Sequence, residues 1–240
     1  MRINWNYIQV VILVLIVWFL YGFSKKRNMK RSNDKINVEF VNGKDRFITE
    51  EMVNNLLIVK PEQPGKQGKD SLDLNVLEFQ LNQSSLIANA EVYRTITGEL
   101  GVEVTQREPL ARIIGEKSFY IDKEGVQMPL SGNFSARVPL VTGVDSTAVF
   151  ELYPFLKEID KDVFLKKNII GIERITNGDY HLKMRESDWM IVFGDMNDIE
   201  QKIKNFKAFY SKAYADELLD DYSQINLKYI NQVVCTKKES

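Results

Sequence analysis

A single apolar stretch near the start of the chain constrains its fold more than any other feature of the sequence. It runs from Trp5 to Phe23 and is followed by the basic run Lys25-Lys26-Arg27. Residues 1–6 are assigned to a short N-terminal tail that precedes the predicted span. As a helix, roughly 19 residues at about 1.5 Å per residue would span about 28 Å, close to the hydrocarbon thickness of a bilayer. No small-residue cleavage site follows it, which argues against a signal peptide. The sequence therefore predicts a transmembrane helix over residues 7–23 that anchors a globular body.

The charges around this stretch bear on which side of the membrane the body lies. Five basic residues lie within residues 25–31, whereas only Arg2 and the amino terminus precede the stretch. The positive-inside rule then favours a cytoplasmic body, although long domains can be exported despite their charge. Residues 5–31 as a whole are predicted to contact membrane lipid, since basic side chains suit the headgroups. A net charge of −1 and a pI near 6.0 provide no basic field for nucleic acid.

The first part of the body, residues 36–108, follows a polar linker at residues 24–35. Alternating apolar and polar residues predict a strand over residues 36–40, and Thr49 and Asp73 are suitable N-caps for two helices. A Gly-containing turn between two alternating segments, residues 90–96 and 100–104, predicts a hairpin. The predicted order is strand, helix, helix, strand, strand.

The second part, residues 109–240, is predicted to be rich in strands. Two helices are predicted within it, one over residues 147–159 and one capped by Asn197 in capping-box register with Glu200. Strands are predicted over residues 118–121, 126–128, 137–143, 169–175, 179–185 and 189–193, with one long final strand over residues 225–235. The Asn177-Gly178 pair predicts a hairpin turn, and Gly171 predicts a bulge in its strand. The predicted fold class is therefore α+β: an N-terminal transmembrane helix, a β-α-α-β-β domain, and a mixed strand-rich β domain with helices.

The residue types that carry catalysis are sparse. His181 is the only histidine and falls on the polar face of its predicted strand, and Cys235 is the only cysteine, so no intrachain disulfide can form. No metal-ligand spacing and no Gly-rich phosphate loop occurs. Four clustered carboxylates could suggest an acid–base pair but are typical of a solvated helix end: Asp216, Glu217, Asp220 and Asp221. The sequence predicts no catalytic, cofactor or metal site.

Several motifs occur in an order that resembles the FtsQ/DivIB family of bacterial division proteins. Residues 89–112 are similar to the family pattern A-x-V-x-R, a short turn, L-x-I-x-V, then E-x-x-P-x-A. Residues 120–125 resemble the V-D-x-x-G turn of the family, and residues 138–143 resemble its L-P-x-L-x-G motif. Residues 225–229 resemble its D-L-R-Y motif. The chain departs from the family at two places. Lys228 occupies a position where the family usually has Arg, and residues 95–97 occupy a position where the family usually has a Trp-Pro pair.

The resemblance implies a fold and a role. The domain at residues 36–108 looks like the POTRA module of that family, and the body is expected outside the cytoplasm on a single-pass inner-membrane anchor, against the charge rule. The protein is expected to be a non-enzymatic scaffold that links early and late division proteins and helps control septal peptidoglycan synthesis. Its POTRA-like domain is expected to pair with other division proteins through a strand edge near Val92 or Val102.

The C-terminal strand is the predicted partner-binding site. At a sheet edge it would offer unpaired backbone groups, and residues 229–235 carry neither charge nor proline to protect it; alternatively it is covered by residues 236–240 or lies inside the sheet. The resemblance implies binding of FtsB, which travels with FtsL, with Tyr229 as a side-chain anchor and residues 231–234 as backbone partners. The predicted site comprises Leu227, Lys228, Tyr229, Ile230, Asn231, Gln232, Val233 and Val234, with Asn177 and Tyr180 on a neighbouring hairpin.

Two other functions are compatible with the residues. A membrane-anchored cell-wall hydrolase would use the carboxylates of residues 216–221. A cytoplasmic-face membrane adaptor would follow if the basic residues determine the topology.

Overall fold

The chain divides into two compact units, residues 1–106 and 107–240. The computed structural model describes residues 5–29, 36–41, 43, 47–57, 73–96 and 99–238. The predicted loop at residues 60–68, the turn at residues 97–98 and residues 30–35 of the predicted linker lie outside the described residues.

The first helix, α1, extends over Trp5–Met29 and thus continues past the predicted end at residue 23. Its described side chains are all exposed. Within the described parts of the chain, no helix combines the length and the apolar character needed to cross a bilayer.

The first unit also contains a three-stranded sheet with two helices. The elements are β1 (Ile36–Phe40), α2 (Glu50–Leu57), α3 (Leu74–Asn82), β2 (Ile87–Arg94) and β3 (Leu100–Gln106). The sheet order is β1-β3-β2, with β1 parallel and β2 antiparallel to β3. The predicted order of elements is confirmed, but β3 is the central strand, so the predicted edge near Val102 is wrong.

Local capping explains why α2 and α3 begin where predicted. The Thr49 hydroxyl accepts a hydrogen bond from the Met52 N–H at 3.3 Å, and the Asp73 carboxylate accepts one from the Asn75 N–H at 3.0 Å. These bonds satisfy amide groups that lack a partner within the helix. The helices bury Val53, Leu57, Leu77 and Leu81, which lie four residues apart on one face of each helix, whereas Leu56 is 41% exposed.

The second unit is built on a nine-stranded mixed sheet, here called the large sheet. Its strands are β4 (Pro109–Ile113), β5 (Phe119–Asp122), β6 (Gln127–Pro129), β7 (Leu140–Thr142), β8 (Ile169–Arg174), β9 (Tyr180–Met184), β10 (Met190–Gly194), β11 (Tyr222–Asn226) and β12 (Val234–Lys237). The helices are α4 (Ser146–Lys161), α5 (Val163–Asn168) and α6 (Ile199–Ala215). The strand order is β12-β11-β10-β9-β8-β7-β4-β5-β6.

The two faces of the large sheet differ because side chains alternate along each strand. One face carries a row of paired apolar residues that pack with the helices: Ile225, Ile191, Leu182, Ile172 and Val141. The adjacent row on the other face is more polar and includes Asn226, His181 and Glu173. The predicted polar-face position of His181 is confirmed, and the predicted bulge at Gly171 occurs between β8 and β9.

The predicted N-cap of α6 at Asn197 is wrong. Asp198, not Asn197, occupies the N-cap position of α6, with a left-handed φ of 51° and no capping bond from its side chain. The Asn197 side chain instead donates to Asp195 at 2.6 Å. An Asn side chain that bonds to a near neighbour in this way competes with helix capping.

The long final strand predicted over residues 225–235 is also wrong. The structure breaks it after Asn226, and the chain reverses before β12 begins at Val234. The Asn226 side-chain oxygen accepts a hydrogen bond from the Lys228 N–H at 3.0 Å, which is the Asx-turn bond that favours a reversal. Strands β11 and β12 then pair antiparallel, with Ile225 opposite Cys235 and Asn226 opposite Val234.

Candidate functional site

Strand β12 lies at one end of the large sheet and pairs on one side only, with β11. No described segment pairs with its other side. A sheet edge presents alternate N–H and C=O groups on which a further strand can form. The four residues of β12 are therefore one of the two ends, with β6 at the other, where the sheet can be extended.

The side chains of β12 alternate between the core and the surface. Cys235 lies opposite Ile225, packs against the core and is half-buried, and burial raises the pKa of its thiol. This thiol consequently stays protonated at neutral pH, as suits a structural strand residue rather than a nucleophile. Val234 is 41% exposed, and Lys237 is exposed at the carboxyl end of the strand.

Residues 227–233, here called the C-terminal loop, connect β11 to β12 and display two large apolar side chains. Tyr229 is 53% exposed and Ile230 is 48% exposed. The ends of the loop are fixed, because Leu227 is buried and Val233 packs against the core. Tyr229, Ile230 and Val234 are therefore three exposed apolar side chains within six residues of the chain, two in the C-terminal loop and one at the start of β12.

Two polar contacts hold the middle of the C-terminal loop. The Lys228 ammonium forms an ion pair with Asp179 at 2.7 Å, and the Asn205 side chain donates to the carbonyl of Ile230 at 2.6 Å. These contacts connect the loop to the β8–β9 turn and to α6. The exposed apolar residues are therefore presented by a loop that is held from two sides.

Asp179 is held in position by hydrogen bonds within the β8–β9 turn. The Asn177 side chain donates to the same Asp179 oxygen at 2.9 Å, and the Asn177 side-chain oxygen accepts from the Asp179 N–H. The hydrogen bond from Lys228 is the main reason why the pKa of the Asp179 carboxyl is lowered, and the same contact raises the pKa of Lys228. Both groups are therefore charged at neutral pH.

The structure brings most of the predicted site residues together, with two exceptions. Asn177 reaches the C-terminal loop through Asp179, and Asn231 and Gln232 are exposed within the loop. The side chains of Tyr180 and Leu227 are buried in the core, so the prediction that they face a partner is wrong.

The edge also lies further along the chain than predicted. Residues 231–233 belong to the loop, so of the predicted backbone partners 231–234 only Val234 lies on β12. The residues missed were Cys235–Lys237 on the edge, and Asp179 and Asn205 beneath the loop. Asn226 and Asn231 within the supposed strand were the available signal, because Asn favours turns over strands.

Two of the carboxylates considered for catalysis, Glu217 and Asp220, line an open hollow beside the end of α6. Asp216, Glu217, Asp220 and Asp221 are all exposed, beyond the end of α6. Across the described residues, no group of three or more His, Cys, Asp or Glu side chains is placed to hold a metal ion.

Comparison with known proteins agrees with this division into two units. The family described as FtsQ/DivIB, C-terminal related, matches residues 108–236, and a POTRA-like domain matches residues 33–105. A search of curated proteins finds no significant match. The first match covers the whole of the large sheet up to β12, and the second covers the three-stranded sheet with its two helices.

Proposed function

As this chain belongs to the FtsQ/DivIB C-terminal-related family, we propose that it acts in cell division as a non-enzymatic scaffold. In this role it links early and late division proteins and helps to control septal peptidoglycan synthesis. Its direct partners are FtsB and FtsL, which it binds through β12. The observation that supports this proposal is the unpaired edge of β12, with Val234 exposed on the strand and Tyr229 and Ile230 exposed on the loop that leads into it.

Binding would proceed by strand addition. A segment of the partner pairs with the free side of β12, so that backbone hydrogen bonds provide affinity and side-chain contacts provide specificity. Tyr229 is the proposed anchor, since a tyrosine buried at an interface carries a large part of the binding free energy. The hydrogen bonds that connect the C-terminal loop to Asp179 and Asn205 would hold the loop before the partner arrives, which reduces the conformational entropy lost on binding.

The proposal includes a location. Residues 5–31 would tether the chain to the inner membrane, with both globular units outside the cytoplasm, where septal peptidoglycan is made. Protease added to intact spheroplasts should then degrade the units. Their survival, with degradation only after lysis, would contradict this location and favour the cytoplasmic adaptor that the basic residues suggest.

The partner site can be tested with a matched pair of substitutions. Val234 on β12 and Met190 on β10 are similarly exposed, at 41% and 44%, and both lie on the face of the large sheet away from the helices. Val234→Lys places a charge at the edge, whereas Met190→Lys places the same charge two strands further in. With the purified full chain and the FtsB–FtsL complex, we expect Val234→Lys to raise Kd at least about 10-fold and Met190→Lys to raise it less than about twofold.

Tyr229→Ala provides a second test of the same site. We expect it to raise Kd by about 10- to 100-fold, while the melting temperature stays near that of the parent because the side chain is half exposed. If neither Tyr229→Ala nor Val234→Lys weakens binding, the proposal that β12 and the C-terminal loop form the site is wrong. Photo-crosslinking from Tyr229 in dividing cells should capture FtsB, and capture only of unrelated proteins would oppose the proposal.

A further inference from the structure

The small sheet of the first unit, formed by β1, β3 and β2, has two edges that differ in how far their backbone groups are occupied. On β2 the outward groups are already bonded to side chains of α3. The Asn82 side chain accepts from the Ala90 N–H at 2.8 Å and donates to the Ala90 carbonyl at 3.2 Å, as an added strand would. The Glu78 carboxylate accepts from the Val92 N–H at 3.3 Å. The edge of β2, predicted near Val92 to bind a partner, is therefore closed by the chain itself.

The opposite edge, β1, is not closed in this way. The Val41 N–H bonds to the carbonyl of Val104, and in a parallel pair the residues that bond to the neighbour alternate along the strand. Glu39 therefore bonds towards β3, and the N–H and C=O of Val38 face away from it. Within the described residues no group bonds to these two atoms of Val38. The outward carbonyl of Phe40 accepts from the Gly43 N–H at 3.3 Å, so the open part of this edge is centred on Val38.

The exposed face of this sheet carries three glutamates in a single cross-strand row. Glu39 pairs with Glu103 on β3, and Glu103 pairs with Glu91 on β2. None of the three forms an ion pair with another described residue. Like charges directly opposite each other destabilise a sheet, so this row is costly in the free protein. Desolvation raises the pKa of the neighbouring Tyr93 hydroxyl, and the negative charges of Glu103 and Glu39 raise it further.

We propose that β1 is the partner-binding edge of the first unit, and that it takes an extended segment in which basic residues alternate with apolar ones. An added strand continues the row of glutamates, so its residue beside Glu39 lies at the end of three aligned negative charges and is favoured as Lys or Arg. Its alternate residues lie beside Ile36, Val38 and Phe40, which are half-buried, and are favoured as apolar. This inference rests on the scaffold role proposed above but concerns a different edge from β12.

The distances across the sheet provide a matched control. Neighbouring strands are about 4.8 Å apart, so a basic residue on an added strand would be about 5 Å from Glu39 and about 14 Å from Glu91. The second distance exceeds the Debye length of about 8 Å at physiological ionic strength. Reversing the charge at Glu39 should therefore act strongly, and the same reversal at Glu91 weakly.

The experiment uses the purified full chain and a nine-residue synthetic peptide in which lysine and valine alternate. Fluorescence anisotropy gives Kd for the parent, Glu39→Lys and Glu91→Lys, at physiological salt. We expect Glu39→Lys to weaken binding at least about 10-fold and Glu91→Lys less than about threefold. Hydrogen exchange should show slower exchange of the Val38 amide when the peptide is bound, because that N–H gains a partner.

Two further peptides separate strand addition from simple charge attraction. A peptide with an N-methyl group on every residue keeps its charges but has no backbone N–H group to donate to β1, and should bind at least about 10-fold more weakly. Equal binding by this peptide, equal effects of the two substitutions, or no binding of the alternating peptide at millimolar concentration would each overturn the proposal. Glu39→Lys should leave the binding of the FtsB–FtsL complex through β12 unchanged, so failure here is distinct from failure of the proposed β12 site.

Discussion

At the scale of single residues, two glycines with positive φ differ in what occupies the place of a side chain. Gly194 has a φ of 80°, and a Cβ there would meet Lys228 Cγ at 2.8 Å, the stem of a flexible side chain. Gly143 has a φ of 72°, and a Cβ there would meet the Arg174 carbonyl oxygen at 2.1 Å, which is backbone within a sheet strand. The first neighbour can move and the second cannot.

We therefore predict unequal costs for the two alanine substitutions. Gly194→Ala should lower the free energy of unfolding by about 1–2 kcal/mol, from the left-handed backbone and the displaced Lys228 stem, and Gly143→Ala by about 3 kcal/mol or more. Gly115→Ala is the control, since no neighbouring atom lies within 4 Å of its Cβ position. It should change the free energy of unfolding by less than about 0.5 kcal/mol. Urea denaturation measures all three. Equal values for Gly143→Ala and Gly194→Ala would contradict the role of the Arg174 carbonyl.

The ion pair of Asp179 with Lys228 makes the C-terminal loop sensitive to acid. The Lys228 hydrogen bond lowers the pKa of Asp179 in the folded protein, so this contact contributes fully above the unfolded value of about 3.9. The contribution is lost as pH falls through the folded pKa, below that value. Hydrogen exchange of residues 227–233 should therefore accelerate, relative to the intrinsic rates, as pH falls below about 4.

Asp179→Asn should remove most of this pH dependence and leave the C-terminal loop less protected at pH 7. Its effect on partner binding should be no more than about fivefold, because exposed ion pairs contribute little. Asp188→Asn, an exposed carboxylate outside the loop contacts, is the control and should leave the exchange profile unchanged. Retention of the acid response in Asp179→Asn would assign that response to another group.

At the scale of elements, the helix N-termini of the second unit differ in how they are capped. The Asp145 carboxylate accepts a hydrogen bond from the Ala148 N–H at 2.8 Å at the start of α4, whereas Asp198 makes no such bond at the start of α6. A cap with a side-chain bond stabilises a helix, and a left-handed non-glycine residue without one is strained.

We predict effects of opposite sign at these two positions. Asp145→Ala should lower the free energy of unfolding by about 1 kcal/mol. Asp198→Gly should raise it by roughly 0.5–1 kcal/mol, because glycine adopts a φ of 51° without penalty. Chemical denaturation with unchanged m-values would measure both. A loss of stability in Asp198→Gly would mean that the Asp198 side chain contributes something beyond its cap position.

At the scale of the whole molecule, each of the two units has its own buried core. The first buries residues such as Val53, Leu77 and Val102, and the second buries the apolar row of the large sheet with its helices. Units with separate cores generally fold separately. The Arg107–Asp122 ion pair, with Asp122 wholly buried, lies entirely within the second unit.

A fragment comprising residues 107–240 should therefore fold by itself. We expect a single cooperative transition with a midpoint within about 3 °C of the corresponding transition in the full chain, since the same core is retained. Calorimetry of both chains provides the comparison. A fragment that unfolds without a cooperative transition would show that the second unit requires the first.

The sequence by itself determined the elements whose causes are local. The N-caps at Thr49 and Asp73, the Asn177-Gly178 turn, the bulge at Gly171 and the order β-α-α-β-β were all predicted, because each depends on residues close together in the chain. The ordered motifs also indicated FtsQ/DivIB, to which the family that matches residues 108–236 is related.

Only the tertiary structure decided which strands lie at the edges and which residues face outwards. The run at residues 225–235 has the composition of one strand, yet the reversal after Asn226 makes two, with β12 at the end of the sheet. Tyr180 lies in a turn-proximal strand but points into the core, and β2 is closed by Asn82 and Glu78 of α3. Strand pairing and burial depend on contacts between residues far apart in the chain, and periodicity along the chain does not contain that information.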